Sequence, residues 1–187
     1  MVTIKSELAE ETTFHPIKPG LYIARINNVE LKESKKWQSD EVEEKLVFGF
    51  GLIKNAMSKK DVEDVEGEVF APLKRKQWKW CNTKYRYAWG GAIELTITGN
   101  IMEACGVKDV ADLDEYNMNG LISQIVVVKI ENKKTEAGVL KDKITDVSPF
   151  DGDMAEVERW IADAMDAEAD STPDTVDLPF DEPSKKN

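Results

Sequence analysis

The chain has 187 residues, 25 Lys and Arg against 36 Asp and Glu, and a formal net charge of −11. Apolar residues make up 41% of it, enough for a core, and no run approaches the ~18 apolar residues of a membrane span. Cys81 and Cys105 form neither a disulfide framework nor a paired metal spacing, and Met1–Lys5 onward lacks the blocks of a signal peptide. One main domain in the cytoplasm, with no membrane partner, is therefore expected.

In chain order, residues 1–16 are polar and read as a flexible segment, ending near His15-Pro16. Leu21–Leu31 alternates as a strand, with Leu21, Ile23, Arg25, Asn27 and Val29 on one side and Tyr22, Ala24, Ile26 and Asn28 on the other. A charged loop is predicted over Lys32–Glu44, then a second strand over Lys45–Ile53, whose Gly49 and Gly51 share a face and permit sharp curvature. Glu68–Leu73 reads as a short third strand. Gly90-Gly91 interrupts the chain, and a helix is predicted over Ile97–Cys105, stopped by Gly106. Leu121–Glu131 and Lys141–Ser148 read as two strands joined by a hairpin loop, Asn132–Leu140. Met154, Val157, Ile161, Ala164 and Met165 recur at helical spacing, which predicts an amphipathic helix over 151–168. Pro, Ser, Thr and acids dominate 169–187, which reads as a disordered acidic tail.

The negative charge is not evenly spread. Residues 151–187 hold twelve acids against three bases, −9, so the first 150 carry only −2. Within that body, Ala71–Ile93 contains no acid and six bases, Lys74, Arg75, Lys76, Lys79, Lys84 and Arg86. Interleaved with them are Trp78, Trp80, Tyr85, Tyr87 and Trp89. Sequence-tolerant binding of a single nucleic-acid strand needs these two ingredients, cations for phosphates and flat side chains for bases. Folded as one ribbon turning at Asn82-Thr83, the stretch would set Trp78 and Trp80 in one row and Tyr85, Tyr87 and Trp89 in another. Aromatics at alternate positions are more often core, so platform and core both stand, with Trp89 the foremost core candidate. The lack of acids weighs for the platform, because an ordinary solvated face mixes both signs.

Five strands with a helix between the third and fourth is the element order of an OB-fold, a mainly β, partly open barrel whose first and fourth loops flank a strand-binding face. Those loops would carry Lys35, Lys36 and Trp37, and Lys133 and Lys134. The run Pro19–Glu30, which begins Pro19-Gly20-Leu21-Tyr22-Ile23-Ala24-Arg25, and the closing segments Asn119–Val128, Lys133–Gly138 and Lys143–Pro149 resemble phage-encoded single-stranded DNA-binding proteins. That resemblance, over roughly 17–150, implies an OB-fold domain that coats and protects single strands during phage DNA replication, recombination or repair. The tail residues Asp177, Leu178, Pro179 and Phe180 are similar to the acidic tips by which bacterial single-stranded DNA-binding proteins recruit partners. There the Phe is terminal, whereas Asp181–Asn187 follow it here.

No enzyme is expected. His15 is the only histidine, the cysteines have no His partner, and the acids cluster in charged loops such as Asp40–Glu44 and Asp61–Glu66. No phosphate-cradling Gly-Lys loop occurs and no cofactor is implied. Two other classes compete with DNA binding: a phage assembly or adaptor domain whose face grips protein, and an acidic mimic of DNA. The acid-free stretch speaks against the mimic.

Overall fold

The computed structural model describes residues 17–36, 38–56 and 76–170. Among these the chain forms β1 (Gly20–Lys35), β2 (Val42–Asn55), β3 (Lys76–Asn82), β4 (Arg86–Trp89) and β5 (Ala92–Leu95). They are followed by α1 (Ile97–Ala104), β6 (Ile125–Lys134), β7 (Leu140–Pro149) and α2 (Met154–Asp170). The protein is mainly β. One antiparallel sheet has the order β3-β2-β1-β6-β7, and β4 pairs with β5 as a separate ribbon.

The sheet is long and bent because β1 is shared. Its first residues, Gly20–Arg25, pair with β6, while Tyr22–Lys35 pair with β2. A bulge at Asn27 reverses the alternation of β1, so Tyr22, Ala24, Ile26 and then Val29 face the core, while Arg25 and then Asn28 face outward. The strict alternation expected across Leu21–Leu31 fails at that residue, since one extra residue flips every later side chain.

On the inner side, Leu46, Phe48, Phe50 and Leu52 of β2 pack with Val126, Val128 and Ile130 of β6 and with Ile101 and Met102 of α1. Burial of each such side chain stabilises the fold by roughly 1.5–3 kcal/mol. The helix α1, capped by Thr96 Oγ1 accepting from Gly99 N–H, lies against β7 and β3. On the outer side, Val157 of α2 seals onto Ile23 and Ile53. Among the described residues, α2 is the helix that packs on the outer side of the sheet. No helix among the described residues is long and apolar enough to cross a membrane.

Of the partly open barrel expected from the sequence, the five-stranded sheet is present, but it does not close among the described residues. Its edges, β3 and β7, approach each other but share no backbone ladder. Side chains join them instead: Lys79 Nζ donates to Ile144 O at 2.7 Å and Gln77 Nε2 to Asp142 Oδ2 at 3.3 Å. The inward row of β3 holds Gln77 and Lys79, which span the gap by their polar ends. The strand expected over Glu68–Leu73 lies outside the described residues. The single ribbon turning at Asn82-Thr83 does not form either; β3 pairs with β2 and β4 with β5. Two predicted loops are also shorter than expected. β1 and β2 run on to Lys35 and from Val42, and Lys133 and Lys134 belong to β6 rather than to a loop.

Candidate nucleic-acid interface

Three strands in register put their outward side chains in rows. Arg25, Gly51 and Lys76 form the first row and Asn28, Gly49 and Trp78 the second. Glu30, Val47 and Trp80 form the third, and Lys32, Lys45 and Asn82 the fourth. Directly opposed residues in an antiparallel ladder project from the same face, so the four rows make one surface.

Trp78 and Trp80 are 45% and 51% exposed, which settles their place outside the core. As i and i+2 residues of one strand they stand roughly 6.7 Å apart along it. Their support is specific. A Cβ on Gly49 would meet Trp78 Cζ3 at 2.9 Å, so only glycine lets that indole lie against the sheet. Val47, opposite Trp80, is buried. Lys32 Nζ stands 5.6 Å from the Trp78 ring centroid, a cation over an aromatic face.

Cations mark both ends of the tryptophan pair. Arg25 and Lys76 flank the bare backbone of Gly51 in the first row. Arg25 Nε donates to Asn27 Oδ1 at 2.9 Å, which holds the side chain at the bulge, and among the described residues no carboxylate pairs with it. Lys32 and Lys45 end the face at the fourth row. They are held by Glu30 at 2.7 Å and Glu43 at 3.0 Å, with Lys45 also donating to Asn82 Oδ1 at 2.6 Å. The Lys32–Glu30 pair is exposed and contributes about 0–1 kcal/mol, so an incoming phosphate displaces Glu30 cheaply, whereas the Lys45–Glu43 pair is half-buried. The Glu30 carboxyl sits below its ordinary range because Lys32 and Asn28 donate to it, so it remains ionised within the face.

The other residues singled out in the sequence divide by role. Tyr85 is half-buried: its ring packs against the core and its hydroxyl donates to Leu113 O at 2.7 Å. Arg86 is occupied by Ala111 O and by Asp114 at 3.1 Å, so it clamps a 3-10 turn at Val110–Asp112 rather than standing free. Lys79 lies on the inner row at the β3–β7 seam, where burial first, and then Lys143 and Lys133, lower its pKa. Lys84 is exposed in the link to β4, its carbonyl accepting from Thr96 Oγ1. Tyr87 is exposed and donates its hydroxyl to Glu94 at 2.7 Å. Trp89, the foremost candidate for the core among the five aromatics, is the most exposed large hydrophobic residue described, at 71%. The reason is local: Gly90 and Gly91 both take positive φ and close a two-residue turn, which places Trp89 at a hairpin tip beyond the body.

Lys35 and Lys36 pair with Asp40 and Glu41 in the β1–β2 turn, and Lys133 and Lys134 are exposed near the end of β6. Trp37, Lys74, Arg75 and the tail residues Asp177, Leu178, Pro179 and Phe180 lie outside the described residues. Sequence reasoning missed Arg25, Lys32 and Lys45 as members of the face. The signal available was the Gly49/Gly51 pair, which marks the strand whose neighbours share its outer side.

Among the described residues, no group of three or more His, Cys, Asp or Glu is placed to hold a metal ion. Burial pushes the Cys81 thiol up to about 11 and the Cys105 thiol up to about 12, so neither is a thiolate at neutral pH. A scan of the chain against protein-family models gives no match, and no curated protein sequence is significantly similar to it.

Proposed function

We propose that the protein binds and protects single-stranded DNA with little sequence preference, on the outer face of β1, β2 and β3. The observation that carries this reading is the pair of exposed indoles, Trp78 and Trp80, set on one strand between two cationic rows. Bases stack on the indoles at roughly 1–3 kcal/mol each while Arg25, Lys76, Lys32 and Lys45 take phosphates. The strand order β3-β2-β1-β6-β7, with α1 between the third and fourth sheet strands, supports an OB-fold-like assignment, as does the closeness of β3 to β7. On the same reading the protein serves phage DNA replication, recombination or repair without catalysing a reaction itself. Its acidic tail is then available to replication or recombination partners.

Titration of the full chain with labelled oligo(dT) at increasing salt tests this. Four phosphates neutralised at ~0.7 each give a slope of log K against log salt of about −3, accompanied by tryptophan quenching. A slope near zero without quenching would leave a protein-gripping adaptor face as the better account of the same aromatics.

A further inference from the structure

We propose that the β4–β5 hairpin is a second base-stacking station, apart from the sheet face, with Trp89 as its platform. This deepens the single-strand reading above and rests on it. The hairpin is an anchored projection. Gly90 and Gly91, at φ 57° and 84°, close the two-residue turn, and the Tyr87 hydroxyl ties β4 to Glu94 of β5. Its base is anchored by Leu95 and Tyr85 in the core, by Arg86 on the Val110–Asp112 turn, and by Thr96 N–H donating to Tyr85 O at 3.0 Å.

Pairing fixes which way the faces look. Arg86 and Leu95 oppose each other, as do Ala88 and Ile93, on the side turned to the body. Tyr87 and Trp89 therefore project from the opposite side. Ile93 shares the side of Leu95 yet is 55% exposed, so the tip overhangs the body. A two-stranded ribbon is marginal in water, and one that spends its anchoring on presenting an indole to solvent calls for an occupant.

The chemistry favours a nucleic-acid strand as that occupant. The hairpin continues the acid-free stretch from the strand that carries Trp80, through a link of only three residues, 83–85. Its one acid, Glu94, already accepts from Tyr87. Every base offers a π-face to such a platform without regard to sequence. The distance suits one continuous ligand: Trp89 lies nine positions beyond Trp80, at most about 32 Å of chain. About ten nucleotides cover that span even at the 3.4 Å rise of a stacked strand. The hairpin thus lengthens the footprint: an oligonucleotide of about five residues fills the sheet face, and one of about twenty reaches both stations.

The test uses full-length wild type, Trp89→Ala and Trp89→Phe with labelled oligo(dT) of about five and about twenty nucleotides, read by anisotropy, together with sedimentation of the free proteins. Trp89→Ala is expected to weaken the long oligonucleotide about 5- to 100-fold and the short one less than about twofold, with Phe restoring most of the loss. Equal binding of the long oligonucleotide by Trp89→Ala and wild type overturns the proposal. So does equal weakening of both lengths, or a change in sedimentation of the free variant, which would make the hairpin a contact between copies. Wild type that binds neither length brings down the single-strand reading itself. Wild type whose binding depends on Trp78 and Trp80 but not on Trp89 brings down only the second station.

Discussion

The acid-free stretch is built into two unlike halves. Lys76–Asn82 lies along the edge of a five-stranded sheet, where each outward residue has a partner row beneath it, while Arg86–Leu95 stands as a ribbon with solvent on most sides. Both halves expose tryptophan, but they fix it differently. Trp78 is positioned by a missing Cβ on the neighbouring strand, and Trp89 by the conformation of a turn. The sheet-backed half offers a shaped surface with cations at measured rows. The ribbon offers reach. An interleaved basic and aromatic composition therefore does not specify one kind of surface.

The largest test of this contrast removes both sheet-backed indoles. Trp78→Ala with Trp80→Ala is expected to raise the Kd for short oligo(dT) at least about 30-fold, from two stacks at roughly 1 kcal/mol or more each. Thermal unfolding should shift little, because both side chains are half outside; undiminished binding would remove the face from the site. Gly49→Ala is subtler. The new Cβ must push the Trp78 ring off the sheet, so affinity should fall about fivefold, about 1 kcal/mol, while stability changes by no more than about that amount. A large loss of stability with unchanged affinity would show that Trp78 packs for the fold and not for a ligand. Smallest is the separation of Arg25 on the sheet face from the structural Arg86. Arg25→Ala should reduce the salt slope by about 0.7, whereas Arg86→Ala should leave the slope alone and lower the denaturation midpoint. The reverse pattern would exchange their roles.

Much of the fold was legible from apolar periodicity. β1, β2, β6, β7 and both helices appear near their expected places. The strands and α1 bury apolar side chains in the core, whereas α2 buries Val157 and leaves Met154 and Met165 of its predicted row about half exposed. β3 was the exception, for a physical reason. Its inward row is Gln77, Lys79 and Cys81 and its outward row contains two tryptophans, the inverse of the usual pattern, so hydrophobicity alone assigns the faces backwards. The β4–β5 ribbon buries no continuous row and so leaves no period to read, although Gly90-Gly91 marks its turn. Tyr85 and Tyr87 look equivalent in the sequence. Tertiary contact alone separates them, the first reaching Leu113 O from the core and the second reaching only across its own ribbon. Arg25 was hidden between Ala24 and Ile26 in what reads as a buried run, and the bulge at Asn27 is what aligns it with the later outward residues.

The seam between β3 and β7 has a mechanical consequence. Where two edges are joined by a ladder, their separation is fixed by strand spacing near 4.8 Å and cannot vary without breaking several bonds together. Here the described polar bridges, from Lys79 to Ile144 O and from Gln77 to Asp142, end on long side chains with several rotatable bonds. Releasing both forfeits about 1–3 kcal/mol of hydrogen bonding in all, and rotamer changes can lengthen either without moving a strand out of register. The sheet is thus stiff along its ladders and compliant at one slit. That slit runs along the strand whose opposite row holds the tryptophans, so the curvature beneath the two indoles is adjustable while their spacing along β3 is not.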